Sequence, residues 1–376
     1  MKKLKVLQVI PNLAKGGAQR LVIDICNQFL THENIDCKLV VLNKSENHFL
    51  HLSNFLDIVY CDVKFQLSFF QKHKINIQEY EDIVNDFKPD IIHSHLYFSE
   101  LIVNEQPRKN IKYITHFHDN IEQFLNFSLS ILFSKKRVTN FFEKKRLFNN
   151  YKKTSKLFLT ISKHSDSYAR KVLPKRFLNN IEMLHNAINI SAFKNPEQGP
   201  NPTNIIKLIN VGNLLTKKNQ VFLVDVVKYI YDQGYKVELE LVGEGACRNE
   251  IVSKINNLGL TNNIFLKGAI NNVQKALWSS SIYIHSAKYE PFGLVFLEAM
   301  AAKIPIISYN GEGNKDLIIN GETGFLINTF SPKIFGDTAI KLSKNMDLYN
   351  SIVDTAFNFS KRFDIIDYCN KLIKRY

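Results

Sequence analysis

The chain has 376 residues, 45% of them hydrophobic and 22% charged. That composition excludes a disordered or fibrous chain, and the length exceeds what one ordinary core fills, which predicts two domains. The excess of 49 Lys and Arg over 35 Asp and Glu, a formal +14, favours acidic partners such as anionic lipid, nucleic acid or phosphorylated substrates, or marks a lysine-rich composition with no specific partner. The chain opens on a basic Met1-Lys-Lys and an apolar run at 6–10. This run is too short for a signal peptide and ends in Pro11-Asn12, so it reads as a first buried strand. Gly16-Gly17 follows as a turn into a helical pattern over 18–30. Further short apolar runs at 38–42, 90–93, 112–115 and 157–161 read as parallel strands buried on both faces. Histidines gather on two of them: His93 with His95, and His116 with His118. Alternation puts each pair on one face.

Between 124 and 156 the chain turns aromatic and basic. Phe124, Phe127, Leu129, Ile131, Leu132 and Phe133 precede Lys135, Lys136, Arg137, Lys144, Lys145, Arg146, Lys152, Lys153 and Lys156, with Phe141 and Phe142 inside the band. Such a region suits an anionic membrane surface, and equally a helix pair with solvated lysines; the two readings balance. Residues 195–202 carry three prolines and a glycine, which neither helix nor inner strand tolerates, so they read as a hinge. The second half repeats the alternation, with strands at 206–211, 237–242, 264–266, 281–285 and 304–308. This is the pattern of an α/β protein with parallel sheets. The expected organisation is a first doubly wound domain over 1–194, the hinge at 195–202, a second over 203–358 and a helical segment over 359–376. A ligand cleft is expected at the carboxyl ends of the strands. No apolar run of about 18 residues predicts a spanning helix. Cys26, Cys37, Cys61, Cys247 and Cys369 show no C-x-x-C spacing, which argues against a disulfide framework or structural zinc and suits a reducing cytosol.

The most informative stretch is Glu290-Pro-Phe-Gly-Leu-Val-Phe-Leu-Glu298. It reads as the opening of a helix, with Pro291 to Leu294 as its first turn. Two carboxylates eight residues apart on a helix lie ~12 Å apart along its axis. They cannot share a proton or clamp one metal, but they can hold the two ends of one long ligand. The helix N-terminus between them suits a phosphate. Carboxylate, phosphate cradle and carboxylate together fit a nucleotide-sugar.

Glu-x-Phe-Gly-x-x-x-x-Glu followed by Ala-Met-Ala-Ala resembles the donor motif of retaining glycosyltransferases of the GT-B fold, family 4. Val242-Gly-Glu-Gly245, Phe265-Leu-Lys-Gly268, Ser281-Ile-Tyr-Ile-His-Ser286, Ile304-Pro-Ile-Ile-Ser308 and Asn320-Gly-Glu-Thr-Gly-Phe-Leu326 follow the family's order and spacing. Gly16-Gly17-Ala-Gln-Arg20 and His118-Asp119 fit in the first half. The resemblance covers nearly the whole chain; it is dense over 205–328 and sparse over 45–85 and 120–155.

The resemblance implies two facing Rossmann-like domains with a cleft between them, and a final helix that crosses back onto the first. It implies that Glu290 accepts hydrogen bonds from donor-sugar hydroxyls, that Glu298 binds ribose, and that Lys218 binds phosphate. Phe292, Gly293 and Leu294 would line the donor site, with amides facing the distal phosphate or sugar. Gly16 and Gly17 would form a phosphate-approach turn, and His118 the cleft histidine near the anomeric centre, with His116 as the other candidate. Asn213 stands where the family has arginine, a planar charged fork replaced by a neutral donor, and Lys217 is the residue that could supply the missing charge. His185-Asn-Ala-Ile-Asn189 resembles the family's Asn-Gly-Ile-Asp turn.

The expected activity is transfer of a sugar from a nucleotide-diphosphate donor to a glycan or lipid-linked acceptor, with no cofactor and no bound metal. The expected location is the cytoplasm, with the inner face of the membrane open as a docking surface. A weakly active sugar-nucleotide-binding scaffold is the alternative. An epimerase would lack the two glutamates, and nothing beyond charge points to nucleic acid.

Overall fold

The computed structural model describes residues 3–43, 48–66, 74–124, 135–195 and 204–376. The chain forms two compact units, Met1–Asn186 with Ile365–Tyr376, and Ala187–Asp364. Of the stretch expected as a hinge, only Asn195 is among the described residues. The passages between units fall elsewhere, at 186/187 and 364/365. There Ile188 and Asp364 form an isolated parallel bridge, and the Ile188 amide donates to Phe363 O at 3.0 Å. Residues 187–194 therefore belong to the second unit, where the Trp278 indole N–H also donates to Phe193 O at 2.8 Å.

The first unit holds β1 (Leu4–Ile10), β2 (Ile35–Val41), β3 (Ile58–Tyr60), a hairpin of β4 (Lys64–Gln66) and β5 (Lys74–Asn76), β6 (Ile91–His95), β7 (Lys112–Phe117), β8 (Lys156–Thr160) and β9 (Ile181–Met183). Its helices are α1 (Gly17–Leu30), α2 (Leu50–Ser53), α3 (Gln78–Phe87), α4 (Leu96–Val103), α5 (Lys135–Tyr151) and α6 (Lys163–Val172). Seven strands form one parallel sheet in the order β3-β2-β1-β6-β7-β8-β9. Strands buried on both faces carry little polarity; Val6 to Ile10 are all buried. Leu39, Val41, Val22 and Ile23 pack on one side, and Leu7, Val40, Tyr80 and Ile92 lie in a separate cluster. The winding direction reverses between β1 and β6, which makes their carboxyl ends the switch point of this sheet.

The basic band is not one surface. Lys156 is fully buried, its Nζ 3.2 Å from Glu100 Oε2. Thr115 and Tyr151 donate to the same carboxylate at 2.9 and 2.7 Å, and Asn104 Oδ1 accepts from Lys156 at 3.1 Å. A buried ion pair needs such additional bonds to offset desolvation. Arg146 pairs with Glu105, and Lys144 donates to Phe124 O at 2.6 Å. Arg137, Lys145, Lys152 and Lys153 are exposed. Residues 127–133 lie outside the described residues.

The second unit holds β10 (Ile205–Val211), β11 (Lys236–Val242), β12 (Ile264–Gly268), β13 (Ile282–His285), β14 (Ile306–Tyr309) and β15 (Phe325–Ile327). Its helices are α7 (Ile190–Phe193), α8 (Val221–Asp232), α9 (Arg248–Asn257), α10 (Val273–Trp278), α11 (Leu294–Ala301), α12 (Pro332–Lys344) and α13 (Met346–Ser360). The sheet is parallel, in the order β12-β11-β10-β13-β14-β15. Its core joins Leu208, Leu239 and Ile284 to Val224, Val227 and Phe335. The switch point lies between β10 and β13.

The final segment is not one continuous helix. The chain turns through a 3-10 helix at Lys361–Phe363, Asp364 is extended, and a last helix, Ile365–Ile373, belongs to the first unit. There Lys112 donates to Arg375 O at 2.6 Å, and Arg375 Nε lies 2.8 Å from Glu182 Oε2.

Candidate active-site residues

In the second unit, the topology alone places two loops side by side: the one after β10 and the one after β13. The first runs Gly212 to Gln220 and is laced by backbone to its neighbour on the other side. Gly212 N–H donates to Val242 O, Leu214 N–H to Glu244 O, and Cys247 N–H to Leu214 O, each at 2.9 Å. This is why the second strand's motif needs glycine. A Cβ on Gly243 would lie 2.1 Å from Gly212 O, and its φ is +142°. Lys217 and Lys218 sit in the turn before α8, not in its first helical turn, which begins at Val221. The Ser286 hydroxyl donates to Lys218 O at 2.9 Å, and Lys288 N–H to Lys217 O at 2.9 Å. These bonds hold the lysine turn against the loop after β13.

The outcome is a contact between residues 72 positions apart: Lys218 Nζ lies 2.5 Å from Glu290 Oε2. His285 Nε2 is 3.3 Å from the same oxygen, and His285 Nδ1 is 3.2 Å from the Tyr283 hydroxyl, which donates to Val211 O. Burial pushes the Glu290 carboxyl up, but the Lys218 charge and His285 outweigh it and hold it at about 2. Burial also lowers the His285 pKa, opposed only in part by Glu290, so the imidazole is neutral near pH 7. The assembly is an ionised carboxylate with a cation on one side and a neutral ring on the other. It offers one carboxylate for hydroxyl groups and one ammonium for an anion.

The residues before α11 do not form its first turn. Helix α11 begins at Leu294, with Gly293 as N-cap in the left-handed region at φ 89°. A Cβ at Gly293 would meet the Phe296 ring at 2.4 Å. Glu290 is instead extended: its N–H donates to Gly311 O at 2.8 Å, and its O accepts from Gly313 N–H at 3.0 Å. The backbone's commitment to the 311–313 loop excludes the helical bonds that the sequence suggested, so the ~12 Å helical spacing of the two glutamates does not apply. The α11 N-terminus has no side-chain cap, which leaves its first amides to another acceptor. Phe292 is buried against Phe363, with ring centroids 6.1 Å apart, and is a packing residue here. Leu294 is also buried, and Glu298 is half-buried on α11. Asn213 and Lys217 are exposed, and the Asn213 carbonyl accepts from Gln220 Nε2 at 3.1 Å. Asn189 is the N-cap of α7, accepting from Ala192 N–H at 3.3 Å; aspartate serves that position equally well.

In the first unit, Gly16 is the N-cap of α1 and Gly17 its first residue, just past the end of β1. The four histidines are buried together at the ends of β6 and β7. Ring centroids of His93 and His95 lie 4.3 Å apart, and those of His116 and His118 lie 4.1 Å apart. His95 Nδ1 is 2.9 Å from His118 Nε2, and His95 Nε2 is 2.8 Å from Gln8 Oε1. Burial lowers all four pKa values, that of His118 to about 3. One ring nitrogen each from His93, His95 and His116 lies within 4.8 Å of the others. Both His95 nitrogens already have partners, and among the described residues no carboxylate joins the group. His118 Nδ1 is buried and, among the described residues, has no hydrogen-bond partner. Sequence reading found the histidines but missed His285, Tyr283, Gln8 and Tyr376. A histidine closing an apolar strand beside the switch point is the signal that could have found His285.

Two parallel doubly wound units, with polar groups gathered at both switch points, define a GT-B architecture. The profile described as Glycosyltransferase Family 4 matches residues 15–192, and the one described as Glycosyl transferases group 1 matches residues 191–359. The chain belongs to the group 1 glycosyltransferases. Among its relatives is the poly(glycerol-phosphate) alpha-glucosyltransferase of Bacillus subtilis, 24% identical over 168 residues, 44% of this chain and 25% of the relative. The poly(ribitol-phosphate) alpha-N-acetylglucosaminyltransferase of Staphylococcus aureus is 25% identical over 186 residues, 49% of this chain and 37% of the relative. The matched stretches thus span a quarter to just over a third of these relatives' lengths. The crystal structure of Anabaena HepE in complex with UDP and glucose shares the fold at TM-score 0.77, with 16% identity over 99% of each chain.

Proposed function

We propose that this protein transfers a sugar from a nucleotide-diphosphate donor to an acceptor hydroxyl with retention of configuration, without a bound metal or cofactor. The observation that carries the reading is the contact of half-buried Lys218 with buried Glu290 at the switch point of the second unit. Lys218, with the amides at Gly293 and Leu294, would stabilise the leaving diphosphate as charge develops. Glu290 would accept from sugar hydroxyls, and Glu298 from the ribose. Asn213 and Lys217 would lie beside the diphosphate, and in the first unit Gly16 and Gly17 would form a phosphate-approach turn and His118 would serve the anomeric centre. In the step itself, the bond from the anomeric carbon to the diphosphate breaks, the acceptor oxygen bonds to that carbon, and the hydroxyl proton passes to the departing phosphate. The named relatives act on poly(glycerol-phosphate) and poly(ribitol-phosphate), which supports a bacterial surface glycan or lipid-linked glycan as acceptor. A cytoplasmic location at the inner face of the membrane fits such an acceptor.

The test is a mass-spectrometric screen of nucleotide-sugars, with and without EDTA. The expected result is consumption of one donor class with release of its nucleoside diphosphate, at a rate EDTA leaves intact. Binding without turnover against every acceptor would favour the scaffold. Loss of activity in EDTA, restored by Mn²⁺ or Mg²⁺, would overturn the metal-free mechanism.

A further inference from the structure

The histidine cluster is wired to the far end of the chain. The Tyr376 hydroxyl lies 2.9 Å from His93 Nδ1 and accepts from Gln8 Nε2 at 2.8 Å. Its ring packs edge-on against Phe29 and His93, each at 5.9 Å between centroids. A tyrosine hydroxyl has one proton to donate. With the Gln8 amide N–H donating to its oxygen, that proton goes to His93 Nδ1. The Gln8 carboxamide is then oriented, and its Oε1 faces His95 Nε2 at 2.8 Å. A carbonyl oxygen only accepts, so His95 carries its proton on Nε2. His95 is neutral, because burial and neighbouring histidines disfavour its charged form, so its Nδ1 is an acceptor. The partner at 2.9 Å, His118 Nε2, must therefore carry the proton. His118 Nδ1 is left as a bare lone pair, buried and without a partner among the described residues.

We infer that Tyr376 is a positioning residue: through Gln8 and His95 it fixes His118 as the Nε2–H tautomer, with Nδ1 held ready to accept a hydrogen bond from a substrate hydroxyl. The tautomer follows from this orientation of the Gln8 carboxamide and from the neutral state of His95; its use in transfer rests on the glycosyltransferase reading. With the amide reversed, every donor and acceptor along the chain exchanges, and His118 would present Nδ1–H instead. The orientation of the Gln8 carboxamide distinguishes the two states, and the structure has its N–H on the Tyr376 oxygen and its carbonyl on His95, which is the Nε2–H state. This gives the returning C-terminal segment a role in the electronic state of a histidine it does not touch.

Selective ¹⁵N-histidine labelling and long-range imidazole NMR on the full chain read the tautomer directly, with His118 assigned by its loss in His118→Asn. The wild type should show the Nε2–H form alone. Tyr376→Phe keeps the ring and removes the hydroxyl, and His93→Phe frees the Tyr376 proton to donate to the Gln8 carbonyl. In each variant, shown folded by its thermal melt, the Nδ1–H form should rise to a population comparable with Nε2–H. In transfer assays kcat should fall severalfold with donor KM little changed. A wild type in the Nδ1–H form, or His118 unchanged in both folded variants, overturns the inference. A tautomer shift without any change in kcat overturns the positioning role. If no transfer activity is found at all, the glycosyltransferase reading fails while the NMR still decides the chain.

Discussion

At the scale of the single residue, Glu290 is held in the charged state by its neighbours, against the effect of its burial. Its carboxyl is held at about 2, below the ordinary value of roughly 4.3. The contribution to stability is therefore present at neutral pH and lost as pH falls from about 4 toward 2. Lys218→Ala removes the principal opposing charge, so burial should raise the Glu290 carboxyl; a ¹³C carboxyl titration that stays at the wild-type position would contradict the pairing. Glu290→Gln should cut turnover at least about tenfold, the size of one lost charge-assisted hydrogen bond, while nucleoside-diphosphate binding survives. Equal turnover in the two proteins would remove Glu290 from the site. Both side chains were legible in the sequence as motif positions. Their contact was not, because it joins two loops separated by 72 positions and depends on which strands become neighbours.

At the scale of elements, the sequence misleads where backbone bonds are diverted. Glu-Pro-Phe-Gly has the chemistry of a helix start, yet Glu290 bridges to Glu312 instead, and the left-handed Gly293 delays α11 by a turn. Edge strands of three residues, β3, β9 and β15, were too short to show a period. The loop after β10 is the element where the sequence resemblance puts arginine and this chain has Asn213. Asn213 is exposed, so an arginine fits there without displacing the core. Asn213→Arg should tighten binding of the nucleoside diphosphate by about tenfold, the effect of ~1.4 kcal/mol. Lys217→Ala separates the two accounts of the missing charge. If Lys217 has taken it over, that variant loses affinity and Asn213→Arg gains little. Calorimetry showing weaker binding in Asn213→Arg and no change in Lys217→Ala would mean that this loop does not face the diphosphate.

At the scale of the molecule, the alternation of short apolar runs and helical patterns was enough to read two parallel α/β units, because strands buried on both faces must be apolar throughout. The places where the chain passes between units were not legible, since Ile188 and Asp364 carry no sequence mark of a crossing. Charge was the least reliable guide. The +14 suggested one basic band, but burial and pairing remove Lys156, Arg146 and Lys144 from it. Among the described side chains, what remains on α5 is Arg137 and Lys145, with Phe142 exposed one turn before Lys145, and Lys152 and Lys153 just beyond. A basic surface with one exposed aromatic suits the headgroup region of an anionic bilayer. Among the described residues no helix is long and apolar enough to cross a membrane. Each lysine near an anionic surface contributes ~1 kcal/mol, or about fivefold in partitioning. The protein should sediment with phosphatidylglycerol-containing vesicles at low salt, remain in solution with phosphatidylcholine alone, and be released as salt shortens the Debye length. The Phe142→Ala, Lys145→Ala double variant should bind at least fivefold more weakly. Undiminished binding by that variant would assign the attraction to net charge spread over the whole surface, and no sedimentation at low salt would leave the excess of lysine without a membrane role.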